Sequence, residues 1–373
     1  MILFLRTSDI QIDSRLLRYA RALDHAGIPH AAAFWSRGKI AASDPGFPVF
    51  RFIIPRRSPR RRTMLIPLLR ANLFFMATVW RERRRISLLH AVDLDTALSA
   101  WIMRRLTGVP YIYDVYDHYA DSRGLGGRLR DLLGRVEALI FRDAACVILA
   151  DDARRDQHGP TPPDRLMVVE NVPEAAQGET AMTAATPRLK IGYLGTFEPL
   201  YRGLEDLIAA VEGNAGLELE IAGSGALEAE IAAAAARCDR IRLHPPLAHR
   251  AGLEMLAQCD IVAGLYYSAQ PNHRFAAPNK YYEHLLVGRP LLTSVATPPG
   301  QKVAEHDTGW AVEDGPEPVA AALADALADR AAVARKGRHA AALWRGRFTD
   351  YFAHKLRGEY VATVHAARRD RAA

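Results

Sequence analysis

Cysteine is scarce in this chain: Cys146, Cys238 and Cys259 are the three in 373 residues. They are too widely spaced for a metal motif or a disulfide framework, which points to a reducing compartment. Long apolar runs are also missing. No uninterrupted stretch reaches the 18 residues that a membrane-spanning helix needs, so none is predicted. The opening Met1-Ile2-Leu3-Phe4-Leu5-Arg6 is too short an apolar run for a signal peptide, so a cytoplasmic protein is expected. What is present is ordinary globular composition, 49% hydrophobic and 24% charged, at a length that suits two domains. The net charge of +7 suggests an acidic partner: nucleic acid, an anionic membrane or a phosphorylated substrate.

The first half reads as alternating strands and helices. Residues 2–6 form a buried strand, and residues 13–26 a helix with Leu16, Leu17, Ala20 and Leu23 on one side. Gly27 ends that helix, and residues 30–35 return as a second strand, which makes a βαβ opening. Residues 56–85 are unusual. Arg56, Arg57, Arg60, Arg61 and Arg62 precede an apolar segment with Leu65, Leu68, Leu69, Phe74, Phe75 and Trp80, and Arg81, Arg83, Arg84 and Arg85 follow it. Such a helix can lie in an anionic membrane interface; the competing reading is a core helix with solvated arginines at its ends. No stacking aromatics interleave with the basic residues, which argues against nucleic acid.

Two acidic clusters close strands. Asp93 and Asp95 follow the strand at residues 86–91, and Asp114, Asp117 and His118 end the strand at residues 109–115. In open parallel sheets, ligands bind at the carboxyl ends of strands. A deprotonated Asp there can remove a hydroxyl proton, with Asp117 the first candidate and Asp93 the second; helix N-caps are the competing reading.

Residues 174–187 carry no apolar period and read as an interdomain linker. The βα pattern then restarts. Gly195 ends a strand and would let backbone approach a phosphate, and Gly223-Ser224-Gly225 forms a second glycine loop. In the stretch Ala277-Pro278-Asn279-Lys280-Tyr281-Tyr282-Glu283, Pro278 suits the first turn of a helix. Asn279 and Lys280 then sit at its electropositive start, and Glu283 lies one turn on. A cation at a phosphate-ready helix end beside a carboxylate suits a nucleoside diphosphate; a surface helix with an incidental ion pair is the bland alternative. Gly288 ends the helix and Pro290 prevents its return. His273 and Arg274 could face a negatively charged sugar.

This last stretch resembles the donor-binding helix of GT-B glycosyltransferases of the family 4-like group, with its pattern P-x-K-x-x-E-x-x-x-x-G-x-P. The segments Val168-Val169-Glu170-Asn171-Val172 and Leu219-Glu220-Ile221-Ala222-Gly223-Ser224-Gly225, and the strand ends at Asp93 and Asp117, resemble further parts of that group. The resemblance covers most of the chain and is strongest over residues 189–294. It implies two doubly wound α/β domains facing across a cleft. An acceptor-binding domain would span 1–173, with a C-terminal helix at 351–373 packing back on it, and a nucleotide-sugar-binding domain would span 188–350. It implies transfer of a hexosyl or uronosyl group from a nucleoside diphosphate sugar such as a UDP-sugar, without a metal or other cofactor. Lys280 would meet the pyrophosphate and Glu283 the ribose. Gly195, Thr196, Arg202, Gly223, Arg274 and Asn279 would line the donor site, and Asp117, Asp93 and His118 the catalytic one. Phe275 stands where many retaining members have Glu, and Thr196 where many have Arg. With the basic, apolar segment at 56–85, the expectation is a peripheral enzyme on the inner membrane face. It would act on a lipid-linked or other saccharide acceptor in polysaccharide or glycolipid assembly. A GT-B sugar-nucleotide epimerase and a non-catalytic nucleotide- or membrane-binding protein are the alternatives.

Overall fold

The computed structural model describes residues 1–8, 13–37, 45–54, 65–158, 165–174 and 187–369. The chain divides into two units, Met1–Glu170 with Tyr351–Ala373, and Asn171–Asp350.

Unit 1 is built on seven parallel strands: β1 (Ile2–Arg6), β2 (His30–Arg37), β3 (Val49–Ile54), β4 (Leu88–Val92), β5 (Tyr111–Val115), β6 (Cys146–Leu149) and β7 (Leu166–Val168). Their order is β3-β2-β1-β4-β5-β6-β7. β3 was not anticipated from the sequence, although Val49-Phe50-Arg51-Phe52-Ile53 carries the residue types of a strand. Helices α1 (Ser14–His25), α2 (Leu65–Glu82), α3 (Leu94–Thr107), α4 (Tyr119–Ser122), α5 (Gly127–Asp143) and α6 (Arg155–His158) connect and flank the sheet. Because successive side chains in a strand point to opposite faces, each central strand feeds two cores. Leu3, Leu5, Tyr113 and Val147 join one core with Ala71, Phe75 and Val79 of α2. Ile2, Phe4, Ile112 and Ile148 join the other with Leu16 and Leu23 of α1 and with Leu356, Tyr360 and Val364 of the C-terminal segment. The Tyr360 hydroxyl lies 2.9 Å from His90 Nδ1 in that second core.

Helix α2 has one apolar face in the core and another that is exposed. Ala71, Phe75 and Val79 are fully buried, whereas Ile66, Leu69, Leu73 and Trp80 are each at least half exposed. These four recur at spacings of three, four and seven and form one helical stripe. Among the described residues no helix is long and apolar enough to cross a membrane. The basic cluster with Arg60, Arg61 and Arg62 lies outside the described residues, as does most of the expected linker.

Unit 2 has six parallel strands: β8 (Leu189–Phe197), β9 (Leu217–Gly225), β10 (Ile241–His244), β11 (Ile261–Gly264), β12 (Leu291–Ser294) and β13 (Gly309–Val312). Their order is β10-β9-β8-β11-β12-β13. Helices α7 (Leu204–Gly213), α8 (Glu228–Arg237), α9 (His249–Ala257), α10 (Asn279–Val287), α11 (Pro298–His306), α12 (Pro316–Ala328) and α13 (Arg330–Arg347) belong to this unit, and α14 (Val361–Arg369) to the tail of unit 1. The expected glycine loops after residues 195 and 222 are not loops. β8 and β9 stay paired to their ends, with Gly195 opposite Gly223 and Phe197 opposite Gly225. The strands approach so closely there that a β-carbon on Gly223 would lie 1.8 Å from the Gly195 carbonyl oxygen. In both sheets the strand order reverses once, between β1 and β4 and between β8 and β11. The carboxyl edge at such a switch point is where open α/β sheets bind ligands.

Candidate functional site

In unit 2 the switch point is occupied by Lys280. Helix α10 starts at Asn279 with Pro278 as its N-cap, one position earlier than a first-turn role, and no side chain caps it. Asn171 Nδ2 donates to the Ala277 carbonyl at 2.8 Å and helps hold that entry. Gly288, at φ 63°, ends the helix by donating back to the carbonyls of His284 and Leu285. Lys280 is buried, and its Nζ stands 4.5 Å above the Tyr193 ring and 6.0 Å from that of Tyr266. Among the described residues no carboxylate lies within ion-pair distance of it. Burial pushes the ammonium down to about 8, against the opposing pull of Glu283. A cation held in this way, on aromatic faces and without a counter-charge, is suited to an incoming anion.

Arg202 lies nearby, its guanidinium 4.7 Å over Tyr266 and its Nε 2.7 Å from Glu198. Burial opposes its charge, but Tyr266 and Glu198 outweigh burial and raise its pKa. Glu283 is buried and accepts from His249 Nε2 at 3.0 Å. Thr196 lies in β8, and its carbonyl accepts from the Tyr193 hydroxyl at 2.7 Å. Arg274 and Asn279 are exposed. The expectation that His273 faces a sugar is corrected: its ring is buried, with Nδ1 3.1 Å from the Tyr267 carbonyl, and braces its own turn. Gly223 is explained by strand packing without any ligand. Tyr193 and His249 were missed from the sequence; Tyr193 would have been found by asking what covers a buried lysine.

In unit 1 the switch point carries Asp93. It sits at φ 60°, ψ 165°, a conformation that costs a non-glycine residue about 1–3 kcal/mol. Its carboxylate does not cap its own helix. It accepts from Arg6 Nη1 at 2.5 Å, from the Tyr116 N–H at 3.0 Å and from the Asp117 N–H at 3.4 Å. Burial pushes it up to about 6, Arg6 opposing and Asp117 adding to the rise. Arg6 also pairs with Asp13 at 2.7 Å, and Asp13 caps α1 through Leu16 N at 2.9 Å. The Tyr116 hydroxyl closes the circuit on Asp13 at 3.0 Å. Behind it, Arg15 pairs with fully buried Asp114 at 2.9 Å. Burial opposes ionisation of Asp114, but Arg15 and His90 hold it down at about 2.

Asp117 is half exposed and ion-paired with buried Arg154 at 3.1 Å. His118 departs from its expected catalytic place: it is buried just before α4, with Nδ1 2.9 Å from Asp121 Oδ2. Asp93 is thus buried, strained and raised in pKa, whereas Asp117 is half exposed and ion-paired.

Residues 12–172 match the family model of the glycosyl transferase 4-like domain. The solved structure of Anabaena Alr3699/HepE in complex with UDP is similar to this chain at a TM-score of 0.71 and 18% identity, covering 98% of this chain and 99% of that one. The fold is GT-B. Sucrose-phosphate synthase from Thermosynechococcus elongatus gives a TM-score of 0.72 at 14% identity, over 98% of this chain and 100% of its own. WaaG, a glycosyltransferase involved in lipopolysaccharide biosynthesis, gives 0.65 at 14% identity, over 98% of both chains. No curated protein sequence matches the chain. The GT-B architecture read from the sequence is thus borne out, and the family 4-like resemblance is borne out over residues 12–172.

Proposed function

We propose that this GT-B protein transfers a sugar from a nucleoside diphosphate sugar, with UDP as the carrier, to an acceptor hydroxyl. The observation that carries the reading is the buried, uncompensated Lys280 ammonium at the switch point of unit 2, beside a glycine that leaves it room. Lys280 and Arg202 hold the pyrophosphate, the free N–H groups at the start of α10 add to them, and Glu283 holds the ribose. Asp93 is the general base toward the acceptor, and transfer needs no metal. The Anabaena relative was solved with UDP and with UDP-glucose, which supports the choice of nucleotide. Titration with UDP, GDP and ADP by calorimetry tests it: UDP binds most tightly and Lys280→Ala abolishes binding. Equal or absent binding of all three rejects the reading.

The acceptor in this proposal is a lipid-linked saccharide, reached from the inner face of the cell membrane. The exposed stripe Ile66, Leu69, Leu73 and Trp80 next to Arg83, Arg84 and Arg85 motivates it. Apolar side chains entering the headgroup region and arginines meeting anionic lipid would hold the enzyme there. Two of the similar structures, WaaG and the galactosyltransferase WaaB, are described as lipopolysaccharide enzymes, which is consistent with such an acceptor.

A further inference from the structure

Beneath the loop that carries Asp117, three side chains from three elements of unit 1 converge. His118 follows β5, Glu137 lies on α5 and His158 ends α6. One nitrogen of each histidine and one glutamate oxygen lie within 4.8 Å of one another. Glu137 Oε2 is 3.7 Å from His118 Nε2 and 3.6 Å from His158 Nδ1. The His118, Glu137 and His158 side chains are 10%, 6% and 1% exposed.

The remaining hydrogen bonds show which electron pairs face inward. His118 Nδ1 lies 2.9 Å from Asp121 Oδ2, closer than the 3.4 Å to the Asp121 N–H. A carboxylate takes an N–H, so Nδ1 carries the proton and Nε2 turns its lone pair toward Glu137. Glu137 Oε1 accepts from the Tyr113 hydroxyl at 2.7 Å, which leaves Oε2 facing the histidines. Among the described residues neither ring nitrogen of His158 has a hydrogen-bond partner within 3.5 Å. Two imidazoles and a carboxylate thus converge in the interior, where a proton on His158 or a bound cation offsets the Glu137 charge.

We propose that His118 Nε2, His158 and Glu137 Oε2 bind a zinc ion, with a water as fourth ligand. Two imidazoles and a carboxylate are a recognised zinc set, with bonds of about 2.0–2.2 Å; a tetrahedron of such bonds spaces its ligands about 3.3–3.5 Å apart. The 3.6 and 3.7 Å separations from Glu137 need to close by a few tenths, and the two histidine nitrogens, within 4.8 Å of each other, by up to about 1.5 Å. Asp121 on His118 and Tyr113 on Glu137 are the outer hydrogen bonds that metal-bound histidines and carboxylates carry. Asp121 is itself held by Gln157 at 2.9 Å and Arg130 at 3.1 Å. The sequence showed no metal motif because the ligands are about twenty residues apart and only the fold joins them. The ion ties α5 to both segments that hold Asp117: His118 adjoins it in sequence, and Arg154, just before α6, pairs with it. It positions that loop and takes no part in sugar transfer.

Full-length protein purified without chelator or a metal-affinity tag is stripped, then titrated with Zn²⁺ and with Co²⁺ as its spectroscopic stand-in. Wild type binds one ion per chain, shows the visible absorption of a four-coordinate Co²⁺ and melts at higher temperature with metal. His158→Phe and Glu137→Gln lose that ion, and Asp121→Asn binds about 10–100-fold more weakly. X-ray absorption of the wild-type zinc complex shows a nitrogen and oxygen shell at about 2.0–2.1 Å with imidazole scattering, whether or not the variants fold. Wild type that takes up no stoichiometric zinc overturns the proposal, as does folded His158→Phe that binds zinc as tightly as wild type.

Discussion

A β-carbon placed on Gly195 would lie 2.7 Å from Nζ of Lys280. Gly195 also has φ +147°, a conformation that side chains resist. Two independent reasons therefore keep this position glycine, and one of them is the lysine proposed to meet the donor phosphates. Gly195→Ala is expected to displace the ammonium and weaken UDP binding at least about tenfold, the loss of roughly one charge-assisted hydrogen bond. Calorimetry on the folded variant checks it. Undiminished affinity would separate the glycine from the phosphate site.

Among the described residues, buried Glu283 hydrogen-bonds only the exposed ring of His249, through Oε1, so its second oxygen is open to a ribose. Glu283→Ala should cost about 1.5–3 kcal/mol in nucleotide affinity, since a charge-assisted bond is lost. His249→Ala is the control. If the carboxylate serves the nucleotide, removing His249 leaves affinity within about tenfold of wild type. If Glu283 merely anchors α9 to α10, both variants lose stability and neither loses affinity selectively.

The pH dependence follows from two shifted groups. Asp93, pushed up to about 6 mainly by burial, is a base only when ionised, so kcat/KM falls on the acid side as pH drops through about 6. Lys280, pushed down to about 8 mainly by burial, loses its charge above that value, so donor capture falls on the alkaline side. The free enzyme should give a bell with limbs near 6 and 8. Asp93→Asn should remove the acid limb and lower kcat about 10²–10⁴-fold while UDP still binds. Asp117→Asn, half exposed and tied to Arg154, should lower turnover less. A larger loss from Asp117→Asn than from Asp93→Asn would restore Asp117 as the base.

Much of this was legible because it is local. Pro278, Lys280, Glu283 and Gly288 mark a helix start, a face and a stop within eleven residues, and α10 runs from Asn279 to Val287. The strand end that carries Asp93 was legible for the same reason: parallel strands buried on both faces read as apolar runs that stop at a polar residue; β8, by contrast, runs two residues past Gly195. What was not legible depends on partners far along the chain. Asp93 is enclosed only because Arg6, 87 positions away, and the 116–117 backbone close around it. Gly223 looked like a phosphate loop because a glycine needed for close strand approach and one needed for a ligand look alike in sequence. His118 looked catalytic because nothing in sequence shows that its ring turns inward to Asp121 and Glu137.

Helix α2 offers the last test. Its buried face is already committed to the core through Ala71, Phe75 and Val79, so the opposite face can be altered without unpacking the unit. On that face Ile66, Leu69, Leu73 and Trp80 are exposed, and Arg83 lies over the Trp80 ring at 4.5 Å. Apolar groups in the headgroup region contribute about 0.8 kcal/mol per buried methylene, which salt does not screen, and each nearby arginine about 1 kcal/mol, which it does. Wild type is therefore expected to sediment with anionic vesicles at low salt, less with neutral ones, and to be only partly released as ionic strength rises. Substituting Ile66, Leu69, Leu73 and Trp80 with Gln should remove the salt-resistant part, leaving at most a weak attraction at low salt. Substituting Arg83, Arg84 and Arg85 should remove only the salt-sensitive part. UDP affinity should stay at the wild-type value in both variants, because no residue of α2 belongs to unit 2. Wild type that ignores anionic vesicles at low salt would remove the case for a membrane-borne acceptor and leave the donor site untouched.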